Sequence, residues 1–241
     1  MFIPQSLLVL GLAAVAATVG GSRAEAAPAA GMYRIEGAAP RVNYPATIDA
    51  EFSPEALTLT AAMPHPDLSA IECRARDAGD KVREDESVEF FLAPDTAGTD
   101  DYRHYAVNAA GVVSAARGTV PIPESAMRLA ATTARSRETG SWTLRLAIPW
   151  DELGGVLPDG GKLKFNVLRT VRVKDRTLEI SSWSKLDLGA HEPWNFGTLT
   201  RRGSQLIPEP KYTEFWTGLI PNNGFEAGLE HWSPGTWAGG D

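Results

Sequence analysis

Asp85-Glu86-Ser87-Val88-Glu89-Phe90-Phe91-Leu92-Ala93-Pro94-Asp95 is the stretch on which the fold turns. Its middle, Ser87 to Leu92, places Val88, Phe90, Phe91 and Leu92 with little polar alternation, which predicts a strand covered on both faces. Glu89 interrupts that run. A carboxylate there must face a polar concave surface or find a cationic partner, because burying it unpaired is costly. The acidic turn from Pro94-Asp95 to Asp100-Asp101 closes the strand. Tyr102 to Asn108 reads as the antiparallel return, and after an Ala-Ala-Gly turn Val112 to Ala116 reads as a third strand.

Working outward from this meander, Ala46–Phe52 and Ala56–Met63 alternate as strands, with Leu57, Leu59 and Ala61 on one face. Leu68 to Glu86 is polar and weakly patterned. It predicts a loop with one helical turn, landing on the central strand where a binding loop would lie. Downstream, Gly118–Ser125 reads as a Pro-rich loop and Arg128–Ala134 as a strand. Trp142–Pro149 alternates most regularly, with Trp142, Leu144, Leu146 and Ile148 on one side. Trp150–Leu153 predicts a single helical turn. Lys164–Val173 and Thr177–Trp183 form a pair across Lys174-Asp175-Arg176, and Asn195–Arg201 reads as the last strand. No helical period persists beyond about two turns, so the expected class is all-β, an antiparallel sandwich of immunoglobulin or jelly-roll type with about ten strands.

The 241 residues carry a net charge of −7, with no basic run, which argues against nucleic acid as a partner. The single cysteine, Cys73, excludes an intrachain disulfide and any cysteine-based metal cluster. Residues 4–20 are apolar, and Ala24-Glu25-Ala26 supplies a small-x-small cleavage pattern. Residues 1–27 are therefore expected to be a signal peptide, and the mature chain to be secreted or periplasmic, with no membrane association after cleavage. The apolar core is short for a stable span.

Several side chains could carry function. Glu89 and Arg169 read either as two ligand-bonding groups on one sheet or as an ion pair holding strands in register. Asn108 and Asn166 read as strand-end side chains bonding backbone, with ligand contact as the alternative. Trp142 belongs to the core, Trp183 fits either role, and Trp194, in a turn, is the best platform for a ring. Asp95, Asp100 and Asp101 could bind calcium, although their spacing matches no defined calcium loop and an acidic solvated hairpin is the simpler account. No other cofactor is expected. Met63, Met127, His104 and His191 formally allow haem ligation, but no motif places a Met opposite a His. A glycoside hydrolase needs two carboxylates flanking one cleft. Glu86 and Glu89 point to opposite faces of their strand, and Asp85, on the Glu89 side, falls in a surface loop.

Glu86-Ser87-Val88-Glu89-Phe90-Phe91, Tyr105–Gly111, Trp142–Trp150, Phe165–Arg169, Ser181–Ser184 and His191–Leu199 follow one another at distinctive spacings. Together they resemble the family 9-like carbohydrate-binding modules, a branch of the DOMON-like β-sandwich group, over about Thr47 to Leu199. The resemblance implies a non-catalytic, secreted module spanning 31–203 that binds a polysaccharide or oligosaccharide. In that family two tryptophans sandwich a sugar while polar side chains bond its hydroxyls. The carboxylate position falls on Glu89, and the first clamp position on Arg83. The second clamp position falls on Ala190 or His191, with Trp194 near enough to substitute. The family's Arg and Gln positions fall on Ala106 and Leu168. Residues 204–220 read as a linker, and 221–241, with Asn222-Asn223-Gly224-Phe225-Glu226, resemble the opening of a second module of the family 4/9/22 type. Two alternatives stand beside this: a haem-binding DOMON-like electron-transfer domain, and a structural module of a larger glycan-degrading protein.

Overall fold

The structure, a computed structural model, describes residues 42–79, 81–95, 101–186 and 189–211, together with the backbone of 33–34. The expected signal peptide, the 221–241 module opening and Asp100 lie outside the described residues.

The chain is all-β. Thirteen strands run among the described residues: β1 (Tyr33–Arg34), β2 (Thr47–Phe52), β3 (Ala56–Pro64), β4 (Ser87–Pro94), β5 (Arg103–Asn108), β6 (Val113–Arg117) and β7 (Val120–Ile122), then β8 (Ala130–Ser136), β9 (Ser141–Pro149), β10 (Lys162–Val173), β11 (Arg176–Ser182), β12 (Gly197–Arg202) and β13 (Gln205–Glu209). Hydrogen-bonded neighbours follow the order β7-β6-β5-β4-β10-β12-β13-β2-β3-β9-β8, with β11 pairing β10 and β1, and every recorded pair is antiparallel. The continuous path folds over at its narrowest point. There β13 meets β2 through one registered pair, Gln205 with Glu51, so the strands on either side form the two layers of a sandwich.

The core lies between those layers and follows from alternation. Leu57, Leu59, Ala61 and Met63 of β3 and Trp142, Leu144, Leu146 and Ile148 of β9 meet Val88, Phe90 and Leu92 of β4 and Leu163, Phe165 and Val167 of β10. All are buried. Strand β9 has one apolar face because one side meets water, and Arg145 stays exposed. Strand β4 is buried along its length because its second face is covered too. Phe91 and Ala93 on that second face pack with Tyr102, Leu168 and Phe196.

Two segments read as loops prove to be strands. Val120–Ile122 is β7, pairing β6, and Gln205–Glu209, expected to open a linker, is β13, pairing β12 along its length. Leu206 is buried in the main core. The close approach of β13 and its exit is visible at Gly197, where a Cβ would stand 2.4 Å from the Glu209 carbonyl oxygen and 2.7 Å from the Trp183 ring. The last strand is therefore β13, and β12 begins at Gly197 rather than Asn195, because Pro193–Asn195 form a 3-10 turn.

Candidate functional site

The outer face of β4, β5 and β10 is covered by two segments of the chain, and its residues are buried. Segment 68–86 covers one end: Val82, in the 3-10 turn Val82–Glu84, packs with Ala75 on Ala106 and Val112. Residues 183–186 and 189–196 cover the other, where Leu186, Ala190 and Phe196 pack around Phe91, Tyr102 and Leu168. Between these apolar patches sits Glu89, registered with Ala106 on β5 and Leu168 on β10. Its direct cross-strand neighbours are thus apolar, and its partner comes from the diagonal position. His104 Nε2 donates to Glu89 Oε2 at 2.7 Å.

His104 is held from behind by ring stacking. Its ring lies 4.3 Å from that of Phe91 at an interplanar angle of 6°. His191 closes the cluster from the roof, edge-on to Phe91 at 5.6 Å and to His104 at 5.4 Å, and its Nδ1 shares a 2.7 Å hydrogen bond with the Tyr102 hydroxyl. Burial, then the neighbouring His104, holds His191 below the usual imidazole range; Arg83 acts in the same sense and Glu89 opposes it. Glu89 and His104 are 7% and 9% exposed, so the pair is nearly buried and keeps only a small accessible edge. At the rim, Arg83 is exposed, and Trp194 is 51% exposed in the 193–195 turn. The Lys211 ammonium donates to the Trp194 carbonyl oxygen.

Of the residues singled out in the sequence, Arg83, Glu89 and His191 come together here, and Trp194 stands on the same roofing segment as His191. Arg169 does not join them. Its register partner is Val88, a core-facing residue, so its side chain enters the sandwich interior and is fully buried. There its Nη2 bonds Glu86, not Glu89, and its guanidinium lies 5.5 Å from the Trp142 ring centroid. Glu86 also accepts from Trp142 Nε1 at 2.7 Å and from the Arg172 amide at 2.6 Å. This cluster is a fully buried structural ion pair, with Arg169 Nε left without a partner, and it has no path to a ligand.

Asn108 is fully buried, donates to Asp85 at 2.9 Å and accepts from the Ala110 and Val112 amides, so it fastens the β5–β6 turn to segment 68–86. Asp85, expected in a surface loop, is buried and also accepts from the amides of Arg74 and Ala75. Trp183 is a core residue, its ring 5.2 Å from that of Phe165. Asn166 accepts from the amides of Val167 and Ser184.

Asp101, one of the three expected calcium ligands, is taken by arginines, at 2.8 Å from Arg117 and 3.7 Å from Arg103. Asp95 is exposed, and among the described residues no group of three or more acidic, His or Cys side chains is arranged to hold a metal. Met63 is buried in the sandwich interior while His104 faces the opposite side of its own sheet, so the two do not address one axis.

Sequence reasoning named His104 only as a formal haem ligand and did not place it, Tyr102 or Phe91 beside Glu89. The strand register supplies the reason: with Glu89 opposite Ala106, the residue two before Ala106 is its diagonal neighbour on the same face, and that register is visible only in the paired strands.

Two cavities lie near the ends of β4. One, of about 250 Å³, is lined by Arg74, Lys81, Asp85 and Arg172 among others. The other, of about 520 Å³, lies beyond Pro94 under the glycine-rich 153–163 segment. Neither contains the Glu89–His104 floor.

No protein-family model matches the chain, and no curated protein matches it in sequence. Solved structures do. A protein from Bacteroides uniformis ATCC 8492, provisionally named carbohydrate-binding, superposes with a TM-score of 0.56 at 21% identity over 71% of this chain and 85% of its own. A family 9 carbohydrate-binding module from Caldicellulosiruptor kristjanssonii in complex with cellotriose gives 0.52 at 16% identity over 76% and 83%. The same kind of module in complex with glucose gives 0.54 at 16% over 73% and 84%. The chain shares their fold.

Proposed function

We propose that this chain is a non-catalytic saccharide-binding module of an exported protein, and that its ligand sits on the outer face of β4, β5 and β10. The observation that carries the reading is the Glu89–His104 pair, a nearly buried polar pair set among apolar residues, with the half-exposed Trp194 on the covering segment that also carries His191. A sugar ring offers a C–H face and a hydroxyl edge, and Trp194 and Glu89 supply the complementary surfaces. With Oε2 engaged by His104, Oε1 accepts no hydrogen bond among the described residues and is available to a ligand hydroxyl. The shared fold with modules that hold cellotriose and glucose supports the same class of ligand.

A hydrolytic role finds less support. Glu86 is buried on the other face and Asp85 is held by three hydrogen bonds, so no second carboxylate among the described residues flanks Glu89 at catalytic spacing. The experiment is affinity electrophoresis and a glycan array on the purified chain. Retardation by one polysaccharide class, abolished by Glu89→Gln, is the expected result; no retention by any glycan would overturn the assignment.

A further inference from the structure

We propose that the site prefers a saccharide whose terminal ring carries a carboxylate, with Arg83 as the residue that selects it. The inference rests on the saccharide reading above and names the ligand's charge. The chain as a whole is acidic, at −7, yet three exposed cations lie on or beside the segments that cover this face. Arg83 stands there, Lys185 adjoins Leu186 on the roofing segment and is exposed, and Lys211 lies against Trp194. The carboxylates described around them are engaged: Glu89 by His104, Glu84 by Lys81 at 2.9 Å, and Glu192 by the Gly189 amide and Asn195 Nδ2.

Arg83 is placed by its neighbour. Val82 is anchored on Ala106, and Ala106 is the cross-strand partner of Glu89, so the exposed Arg83 leaves a turn seated next to the Glu89 position. It is exposed, and among the described residues its guanidinium makes no hydrogen bond or ion pair. Its charge helps hold the His191 imidazole below its usual range. A guanidinium is a planar fork that meets a carboxylate through two parallel N–H···O bonds. In a pyranuronic acid the carboxylate and the C2 and C3 hydroxyls lie on opposite edges of the ring. Glu89 can therefore accept from the hydroxyl edge while Arg83 takes the acid edge, which keeps the two negative charges apart. A neutral ring leaves the Arg83 fork without a counterpart.

The test is titration calorimetry of the full chain with two oligosaccharides of equal length, one ending in glucose and one in glucuronic acid. Arg83→Gln and Arg83→Lys are titrated alongside, with melting curves to verify folding. The expected result is at least tenfold tighter binding of the acidic sugar at low salt, shrinking as salt rises. Arg83→Gln should remove that preference and Arg83→Lys retain part of it. Equal affinities for both sugars, with Arg83→Gln indifferent to the acid, would overturn the inference and leave the saccharide reading intact. No heat with either sugar would overturn both.

Discussion

Glu89 and His104 are bonded at 2.7 Å across a diagonal of the β4–β5 ladder, on a face whose direct cross-strand positions are Ala106 and Leu168. With apolar neighbours at the direct positions, the carboxylate has one partner among the described residues, and that partner stacks on Phe91. The pair is thus rigid and has one carboxylate oxygen to offer. Rigidity before binding reduces the entropy lost on binding.

Glu89→Gln tests this directly. The amide preserves shape and can still accept from His104, so the melting temperature should move little. A hydrogen bond from a sugar hydroxyl to a charged acceptor contributes about 1.5–3 kcal/mol, so affinity should fall roughly ten- to a hundredfold. Calorimetry against whichever glycan the array identifies is the measurement. Undiminished affinity would move the site off this face.

How much of this was legible follows from parity and proline. The opposite orientation of Glu86 and Glu89 and the inward face of Trp142 need only alternation within one strand, and both hold. The partner of Arg169 needs the register between β10 and β4, which no single-strand pattern contains. Placing Arg169 opposite Val88 sends it into the core to Glu86. The two strands taken for loop and linker each contain proline, Pro121 in β7 and Pro208 in β13. Proline lacks an amide donor and survives in strands only where that donor has no ladder partner. Strand β7 is the outermost strand of its layer, and β13 meets β2 only at Gln205, so both sites tolerate it. Arg83 and His191 could be named from the resemblance, whereas the polar floor required His104, which only the paired strands reveal.

The Glu86–Arg169 pair predicts a stability effect separate from binding. Both side chains are fully buried, and Glu86 is held by Trp142 and the Arg172 amide as well. Arg169→Ala leaves an uncompensated carboxylate in the interior, which costs about 3–5 kcal/mol. At about 2–4 °C per kcal/mol for a domain of this size, the melting temperature should drop by about 6–20 °C. Calorimetric scanning reads the drop. A change under a few degrees would mean that Glu86 takes up a proton or water at little cost.

Trp194→Ala makes the reverse prediction. The ring is half-exposed and absent from the described core clusters, so unfolding should be unaltered within a degree or two. Loss of a stacking platform should weaken saccharide binding roughly three- to tenfold, given about 0.5–1.5 kcal/mol per ring contact. Quenching of tryptophan fluorescence on titration with glycan, present in the parent and diminished in the variant, ties the effect to this ring. Equal affinity in both would remove Trp194 from the site.

His191 gives the protein a pH response whose sign is set by its surroundings. Burial and the neighbouring His104 hold its folded-state pKa below the usual 6.5. As pH falls, the unfolded chain takes up the proton first, so stability rises with pH wherever the two states differ. The His191 contribution is complete above about pH 6.5 and is lost as the pH falls from there through the lower folded value. His191→Gln, which keeps a hydrogen-bonding group toward Tyr102, should flatten the decline in unfolding free energy between neutral and mildly acidic buffer. Urea titrations of parent and variant on either side of pH 6.5 supply the comparison. Parallel declines in the two proteins would show that another group carries the acid sensitivity; a flatter one in the variant assigns it to the cluster of His191, His104 and Arg83.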